Sequence, residues 1–306
     1  MVSVSSPWLQ SGDRLRVIAP SGALRETQRL QEGIAVWRNW GFEVVLPASV
    51  DSRWGYLAGT DQQRRQQLIE ALKDPACRGI LCARGGYGGA RLLEDWSWPE
   101  GDRLPWVIGF SDITSLLWSL ARHRQVGVGV HGPLLTTLAL EPAWSRQRLL
   151  DLVTGQPLAP LQGEGWGGGQ VTGPLLPANL TVATHLLGTS HQPSLRRVIL
   201  ALEDVTEAPY RIDRMLTHWR MAGYLAQVAG IALGRFSRCD PPPEAPSFNV
   251  EAVLRDRLAD LGIPIVAGLP FGHDGENAAL PVGTLAHLDG DRGTLAFANL
   301  TTAWRP

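Results

Sequence analysis

Short apolar runs alternate with amphipathic stretches throughout the first half of the chain. The apolar runs predict buried strands, and stretches with apolar residues every three or four positions predict helices. The predicted strands cover residues 14–20, 42–47, 78–84, 105–110 and 127–134. The predicted helices between them cover residues 26–41, 61–75, 90–96 and 112–122. This alternation predicts a parallel sheet with helices on both faces.

The pattern changes after residue 154. Residues 155–174 are rich in Gly and Pro and lack periodicity, so they predict a linker between an N-terminal domain, 1–154, and a C-terminal domain, 175–306. The second half has predicted strands at 196–203, 228–235, 264–268, 282–288 and 294–298, and predicted helices at 209–222 and 248–261. This mixture predicts a smaller α+β or barrel-like domain.

Composition narrows the class of protein. The 306 residues are 44% hydrophobic and 19% charged, which suits a soluble globular protein with a core. The net charge of −1 gives no electrostatic reason to expect nucleic acid or an anionic membrane as partner. No apolar run reaches the roughly 18–20 residues of a membrane span, and the start has no signal-peptide pattern. Three cysteines and no zinc-like spacing argue against a disulfide framework or a metal site, so we expect a cytoplasmic protein.

Ser111 stands between a predicted buried strand and a predicted helix, in the segment PWVIGFSDITSLLWSLARH. A serine at such a junction is typical of a helix N-cap, which stabilises a helix by about 1 kcal/mol. The alternative is a nucleophile elbow, in which a tight turn presents the hydroxyl above the carboxyl edge of the sheet. Gly109 and Ser111 match the elbow pattern Gly-x-Ser-x-Gly, but Ile113 replaces the last glycine. Ser21 and His131 also follow or end predicted strands, which favours a shared site at that edge.

A glycine loop at residues 85–89 follows another predicted strand, in the segment CARGGYGGARLL. It matches neither the phosphate-binding P-loop nor the dinucleotide-binding pattern. Two interpretations stay open: a pocket of backbone N–H groups that holds an oxyanion, or a plain tight turn.

A serine nucleophile also needs a base and an orienting acid. His273 lies in a loop bounded by Gly and Pro after a predicted strand, whereas His131 ends a strand and could line the pocket instead. Glu203 is the first polar residue after an apolar run, so its carboxylate is partly desolvated and needs a partner. Asp204 and Glu207 follow it, and an ordinary solvated turn with ion pairs remains an alternative here.

Five segments together resemble the L,D-carboxypeptidase family of serine peptidases, which includes the microcin C immunity peptidases. They are VIAPSG, RGGYG, GFSDITSLL, LEDVTEAPYRIDRML and GHDGENAALPVG, and they cover almost the whole chain. The resemblance implies a flavodoxin-like nucleophile domain and a smaller C-terminal domain that supplies acid and base. It implies Ser111 as nucleophile, Glu203 as acid and His273 as base, with an oxyanion hole formed by the backbone N–H groups of Gly86 and Asp112.

The same resemblance implies an activity. The expected reaction cuts the bond between an L-centre and a terminal D-amino acid, with a murein tetrapeptide that loses D-alanine during cell-wall recycling as the substrate. No metal or organic cofactor is expected, and the family implies a homodimer. Arg84 and Arg211 are candidates to hold the terminal carboxylate, and Trp54 is a candidate wall of the pocket. Two alternatives are an immunity peptidase that cleaves a peptidyl-nucleotide and a non-catalytic sugar- or peptide-binding protein.

Overall fold

The computed structural model describes residues 8–99, 104–123, 129–244 and 246–297. The first half contains strands β1 (Arg14–Ile18), β2 (Glu43–Val45), β3 (Cys77–Cys82), β4 (Trp106–Gly109) and β5 (Gly129–His131). Its helices are α1 (Thr27–Asn39), α2 (Asp61–Lys73), α3 (Thr114–Arg122), α4 (Leu135–Leu138) and α5 (Ala143–Thr154). These elements follow the predicted alternation, with boundaries shifted by a few residues.

The described residues of the second half form nine further strands and three α-helices. The strands are β6 (Leu161–Gln162), β7 (Glu164–Gly165), β8 (Gln170–Asn179), β9 (Ile199–Val205), β10 (Gly230–Ser237), β11 (Ile265–Ala267), β12 (Leu280–Pro281), β13 (Leu285–Asp289) and β14 (Thr294–Phe297). The helices are α6 (Leu180–Leu186), α7 (Pro209–Met221) and α8 (Val250–Leu258).

The first sheet has the strand order β2-β1-β3-β4-β5, all parallel, followed by β12 antiparallel to β5. The order 2-1-3-4-5 is that of flavodoxin-like folds, in which ligands bind at the carboxyl edge where the strand order reverses, here between β1 and β3. Ser21, the glycine loop 85–89, Ser111 and His131 all lie at or just beyond this edge. Because β12 comes from the second half of the chain, that half completes the first sheet.

The second sheet curls almost into a barrel. Its order is β6-β14-β13-β8-β9-β10-β11-β7, with β8, β9, β10 and β11 parallel. The two end strands, β6 and β7, are separated in the chain by Gly163 alone, so the two ends of the sheet meet there. The predicted fold class, a flavodoxin-like domain with a smaller barrel-like domain, is thus confirmed.

The segment 155–174 is not a structureless linker. It contains β6, β7 and the first residues of β8, all of them part of the barrel. The pattern of apolar residues did not predict β6 and β7, because strands of two residues each are too short to show a period. The glycines serve close packing of backbone on backbone, since a Cβ on Gly163 would lie 2.3 Å from the carbonyl oxygen of Ala267.

Other predicted elements differ in detail. The predicted helix 90–96 is a 3-10 turn over Ala90–Leu93. The predicted strand 282–288 is a strand only from Leu285, where β13 begins, because a turn with Gly283 at φ +77° separates β13 from β12. Residues 127–128 of one predicted strand and residue 298 of another lie outside the described residues.

One cluster of buried hydrophobic side chains spans both halves of the chain. It includes residues of α3 from the first half and of β9, α7 and α8 from the second. Trp118 of α3 is fully buried, and its indole N–H donates to the carbonyl oxygen of Pro177 in β8 at 3.0 Å. This packing holds α3 against β8, an inner strand of the second sheet. None of the described helices is long and apolar enough to cross a membrane.

Candidate active site

Ser111 occupies a strained turn between strand and helix. β4 ends at Gly109, a 3-10 turn covers Ser111–Ile113, and α3 continues from Thr114. Ser111 has φ +64°, in the left-handed region that non-glycine residues rarely adopt, and neither helical start has a side-chain cap. The geometry is that of the elbow and not of the N-cap.

The absence of the last elbow glycine has a steric explanation. A Cβ on Gly109 would lie 2.9 Å from Cγ1 of Ile113 and 3.0 Å from Cβ of Cys82. Gly109 is therefore the position that must stay small, and Ile113 fills the space that it leaves.

His273 connects Ser111 to a carboxylate. Its Nε2 lies 3.2 Å from Oγ of Ser111, and its Nδ1 lies 2.7 Å from Oε2 of Glu203. The ring packs against Phe110, with centroids 4.7 Å apart. The hydroxyl of Ser237 donates to the carbonyl oxygen of His273 at 2.5 Å, which holds the loop after β11 in place. The structure thus brings together the three residues predicted as nucleophile, base and acid.

Glu203 lies near the end of β9 and is fully buried. Its Oε1 accepts a hydrogen bond from the side-chain amide of Asn179 at 3.2 Å, while Oε2 faces His273. The same amide nitrogen also donates to Oδ1 of Asp204 at 3.1 Å. Asp204 accepts two further bonds on Oδ2, from the backbone N–H and the hydroxyl of Thr181, both at 2.8 Å. Each carboxylate oxygen of Glu203 and Asp204 is therefore hydrogen-bonded, either to one of these donors or to the imidazole of His273.

The electrostatics of the site raise the basicity of His273. Burial by itself lowers the pKa of His273, but the hydrogen bond with Glu203 and the nearby negative charges outweigh it, so the pKa lies above 6.5. Burial, followed by the charge of Glu203, raises the pKa of Asp204 to about 6.

His131 is the second histidine near the site. Burial lowers its pKa to about 4, against the opposing charge of Glu203, so this imidazole is neutral near pH 7. Its ring lies edge-on to Phe110 and Phe271, and within the described chain neither ring nitrogen has a hydrogen-bond partner. The buried ring lies behind Phe110, which also packs against His273.

The glycine loop packs directly against Ser111. A Cβ on Gly85 would lie 3.1 Å from Cβ and 3.2 Å from Oγ of Ser111. Gly86, predicted as an oxyanion donor, follows with φ +113° and packs beside Gly22. Asp112, the other predicted donor, is the residue after Ser111. Both backbone N–H groups therefore come from segments adjoining the hydroxyl, as an oxyanion hole requires.

The three predicted substrate-binding residues lie in different places. Half-buried Arg84 precedes the glycine loop and donates to the carbonyl oxygen of Ala23 at 2.9 Å. Trp54 is 52% exposed, with the guanidinium of Arg91 over its ring. Arg211 lines a cleft of about 510 Å³ between α6 and α7, 3.5 Å from Glu207. The contacts that Trp54 and Arg211 make within the described residues do not include Ser111, His273 or Glu203.

Asn179 is the residue that sequence reasoning missed. It ends β8, and its side-chain oxygen caps α6 by accepting from the N–H of Val182 at 3.1 Å. An asparagine just before LTVATHL is a recognisable cap signal, but the cap alone does not indicate its second contact with Glu203.

The arrangement suits acyl transfer. The Ser111 hydroxyl can donate its proton to Nε2 of His273, and Glu203 keeps the other ring nitrogen protonated. Within the described ranges, no group of three or more His, Cys, Asp or Glu side chains is placed to hold a metal ion.

Comparison with known proteins identifies the family. Residues 15–132 match the LD-carboxypeptidase N-terminal domain, and residues 172–288 match the LD-carboxypeptidase C-terminal domain. A Synechocystis sp. protein, whose name assigns it provisionally to the carboxypeptidases, is 61% identical over 94% of this chain and 95% of its own. The murein tetrapeptide carboxypeptidase of Pseudomonas aeruginosa is 33% identical over 95% of this chain and 97% of its own.

Solved structures agree. Muramoyltetrapeptide carboxypeptidase from Oxalobacter formigenes matches with a TM-score of 0.82 at 30% identity, over 92% of this chain and 97% of its own. The microcin C7 self-immunity protein MccF matches with a TM-score of 0.83 at 20% identity, over 95% of this chain and 97% of its own, a likeness of fold alone. The chain therefore belongs to the LD-carboxypeptidase family, as its five sequence segments predicted.

Proposed function

We propose that this protein is a serine L,D-carboxypeptidase that removes the terminal D-alanine from a murein tetrapeptide during cell-wall recycling. The observation that carries the proposal is the hydrogen-bonded series Ser111, His273, Glu203 at the carboxyl edge of the first sheet. The relatives named for murein tetrapeptide and muramoyltetrapeptide cleavage, at 33% and 30% identity, support the substrate class.

The proposed reaction has two halves. Oγ of Ser111 attacks the scissile carbonyl while Nε2 of His273 takes the hydroxyl proton, and Glu203 stabilises the imidazolium. The N–H groups of Gly86 and Asp112 bind the oxyanion of the tetrahedral intermediate. His273 then protonates the leaving amine, and D-alanine departs. Water, deprotonated by the same imidazole, attacks the acyl-enzyme and restores the Ser111 hydroxyl.

Arg84 is the better candidate for the terminal carboxylate of the substrate. It directly precedes Gly85, where an added Cβ would lie 3.1 Å from Cβ of Ser111, and within the described structure its guanidinium bonds to a backbone carbonyl, with no carboxylate partner. Burial and then the positive charges of Arg25 and Arg53 lower its pKa, so the surroundings are cationic and favour an anion. Arg211 instead has Glu207 as a partner. Trp54 remains a proposed wall of the same pocket.

The direct test is cleavage of defined peptides. The purified protein is incubated with a murein tetrapeptide that ends in D-alanine, its L-alanine epimer and an aminoacyl-sulfamoyl nucleotide, and products are followed by mass. The expected result is loss of one alanine from the D-terminal peptide and almost none from the epimer, because a misplaced carbonyl loses alignment with Ser111 and the oxyanion donors. Ser111→Ala is the control for a contaminating peptidase.

Two results would redirect the proposal. A higher kcat/KM for the nucleotide, or equal cleavage of both epimers, would exclude the murein assignment and leave the serine mechanism in place. Binding of the peptides without turnover would favour a non-catalytic binding protein. We further propose a cytoplasmic homodimer, in line with the family, for which sedimentation equilibrium and cell fractionation are the tests.

A further inference from the structure

The side chain of Asp112 points away from Ser111 into the interior, where it is 3% exposed. Its Oδ2 accepts two hydrogen bonds, from the hydroxyl of Ser21 at 2.5 Å and from the backbone N–H of Gly89 at 2.6 Å. Both donors converge on one oxygen. The catalytic scheme above uses the backbone N–H of Asp112 and leaves this carboxylate without a role.

These bonds join three separate segments of the carboxyl edge. Ser21 follows β1, Gly89 closes the glycine loop after β3, and Asp112 belongs to the elbow after β4. The glycine loop lies so close to the elbow that only glycine fits at position 89. A Cβ on Gly89 would lie 2.9 Å from Oδ2 of Asp112 and 2.5 Å from Oγ of Ser115. The glycine loop is therefore held at its far end by Asp112, whereas its near end, Gly85, accepts from the N–H of Gly22 at 3.1 Å.

Arg64 reinforces the same junction with a positive charge. This fully buried guanidinium of α2 donates to the carbonyl oxygen of Gly88 at 2.8 Å and also to that of Pro20. Burial raises the pKa of Asp112, and the bonds from Ser21 and Gly89 and then the charge of Arg64 oppose that rise. A buried carboxylate without donors is costly, so two donors on one oxygen of Asp112, beside a glycine loop that Arg64 also holds, indicate that a specific geometry is maintained.

We propose that the Asp112 carboxylate is a positioning residue for the oxyanion hole. It holds the glycine loop, which carries the Gly86 N–H, at a set distance from the elbow, which carries the Asp112 N–H. This inference rests on the proposed serine mechanism and adds to it a residue that acts through the donors and touches no reacting atom. A relaxed loop misplaces a donor for the transition state while the substrate still binds, so kcat falls and KM changes little.

The first variants separate hydrogen bonding from charge. Asp112→Ala removes both bonds and is expected to lower kcat by about 10- to 100-fold, with KM within about threefold. Asp112→Asn can keep both, because they end on one oxygen that the amide oxygen can replace, and is expected to retain kcat within about fivefold. Ser21→Ala removes one bond and should give an intermediate loss of about 3- to 10-fold, which also tests the proposal if Asp112→Ala fails to fold.

Asp289→Ala is the matched control. Asp289 is also 3% exposed and accepts two backbone N–H bonds, from Asp291 and Arg292, but it lies at the end of β13 in the barrel. We expect it to lower the melting temperature while leaving kcat unchanged.

Two measurements are made on each variant: kcat and KM with the D-terminal tetrapeptide, and the rate at which a fluorophosphonate labels Ser111. The labelling rate depends on the oxyanion hole and not on the natural substrate. Absence of peptide cleavage by a wild-type protein that is labelled would refute the proposed substrate and still test Asp112. Wild-type kcat and labelling in Ser21→Ala, or an Asp112→Asn variant as inactive as Asp112→Ala, would overturn the positioning role. A rise confined to KM would overturn it as well.

Discussion

The side-chain amide of Asn179 donates a hydrogen bond to Glu203 across 3.2 Å, and the two residues are paired in register, Asn179 at the end of β8 and Glu203 near the end of β9. The same nitrogen also donates to Asp204, so one side chain separates and solvates two adjacent buried carboxylates. Glu203 is thereby oriented with its other oxygen toward His273. The orientation of Glu203, the proposed acid, therefore depends on a neighbour to which the proposed mechanism assigns no proton transfer.

Loss of Asn179 should therefore affect both stability and activity. Asn179→Ala leaves two buried carboxylates short of a donor, and we expect a cost of about 1–3 kcal/mol in the free energy of unfolding together with a lower kcat. Asn249→Ala is the matched control, because Asn249 caps α8 by the same bond, to the N–H of Ala252 at 2.8 Å, without a contact to the triad among the described residues. Urea unfolding and kcat measure both effects. Equal kcat in the two variants would show that Asn179 is only a cap.

The three triad residues should behave as one unit. Ser111→Ala and His273→Ala are each expected to lower kcat by more than about 10³-fold, and the double variant should be little worse, because both residues serve one proton transfer. Glu203→Ala should be less severe, and Glu203→Gln should retain more activity than Glu203→Ala because the ring orientation can survive. Single-turnover kinetics with the tetrapeptide provide the measurement. Ser111→Ala activity within about tenfold of wild type would refute the nucleophile.

The acid limb of the pH profile should lie above pH 6.5. His273 must be neutral to accept the serine proton, and Glu203 raises its pKa, so kcat/KM of the free enzyme should rise with pH through that raised value. Glu203→Gln removes the hydrogen bond to a charged partner, so burial then dominates and the limb should move to lower pH. Asp274→Asn, which removes only a weaker charge interaction, should move it less. If the acid limb of kcat/KM stayed at the same pH in Glu203→Gln, Glu203 would not be the group that raises the pKa of His273.

The raised pKa of His273 also affects the free energy of unfolding. Activity rises with pH through this pKa, whereas the stabilising contribution of His273 falls. The pKa of His273 is higher in the folded than in the unfolded protein, so the protonated ring stabilises the fold below pH 6.5. That contribution is lost as the pH rises through the folded pKa. Comparison of urea unfolding of the wild type and His273→Asn across this range measures it, and a difference that grows with pH would exclude the linkage.

Arg84 and Arg211 should differ in their effect on KM. Arg84→Gln is expected to raise KM for a peptide with a free terminal carboxylate by about tenfold or more, and to have little effect on the C-terminally amidated peptide. Arg211→Gln serves as the control, since its guanidinium already faces Glu207. If Arg211→Gln raised KM more than Arg84→Gln did, the terminal carboxylate of the substrate would bind in the cleft between α6 and α7.

The sequence predicted the first sheet well because its strands are continuous apolar runs between clear helices. Its residue patterns placed Ser111 and Glu203 at the ends of predicted strands and His273 in a loop after one, but it was the resemblance to a known family that implied their roles together. The three residues come from two different sheets, with Ser111 after β4 and the other two in or after strands of the barrel, so strand patterns alone could not bring them together. The sequence did not predict β6 and β7, whose two residues each are too short for any period. Nor could it predict the side-chain roles of Asn179 and Asp112, because both depend on contacts between segments far apart in the chain, 24 residues for Asn179 and 91 for Asp112.

The pairing of β12 with β5 also determines how the chain can be divided. Leu280 and Pro281 supply the outer strand of a sheet whose other strands end by residue 131. A fragment that stops at residue 154 would leave the backbone of β5 without that partner, and an unpaired edge favours aggregation. We therefore expect the chain to unfold in one cooperative transition, and separately expressed halves to regain solubility only when they are produced together.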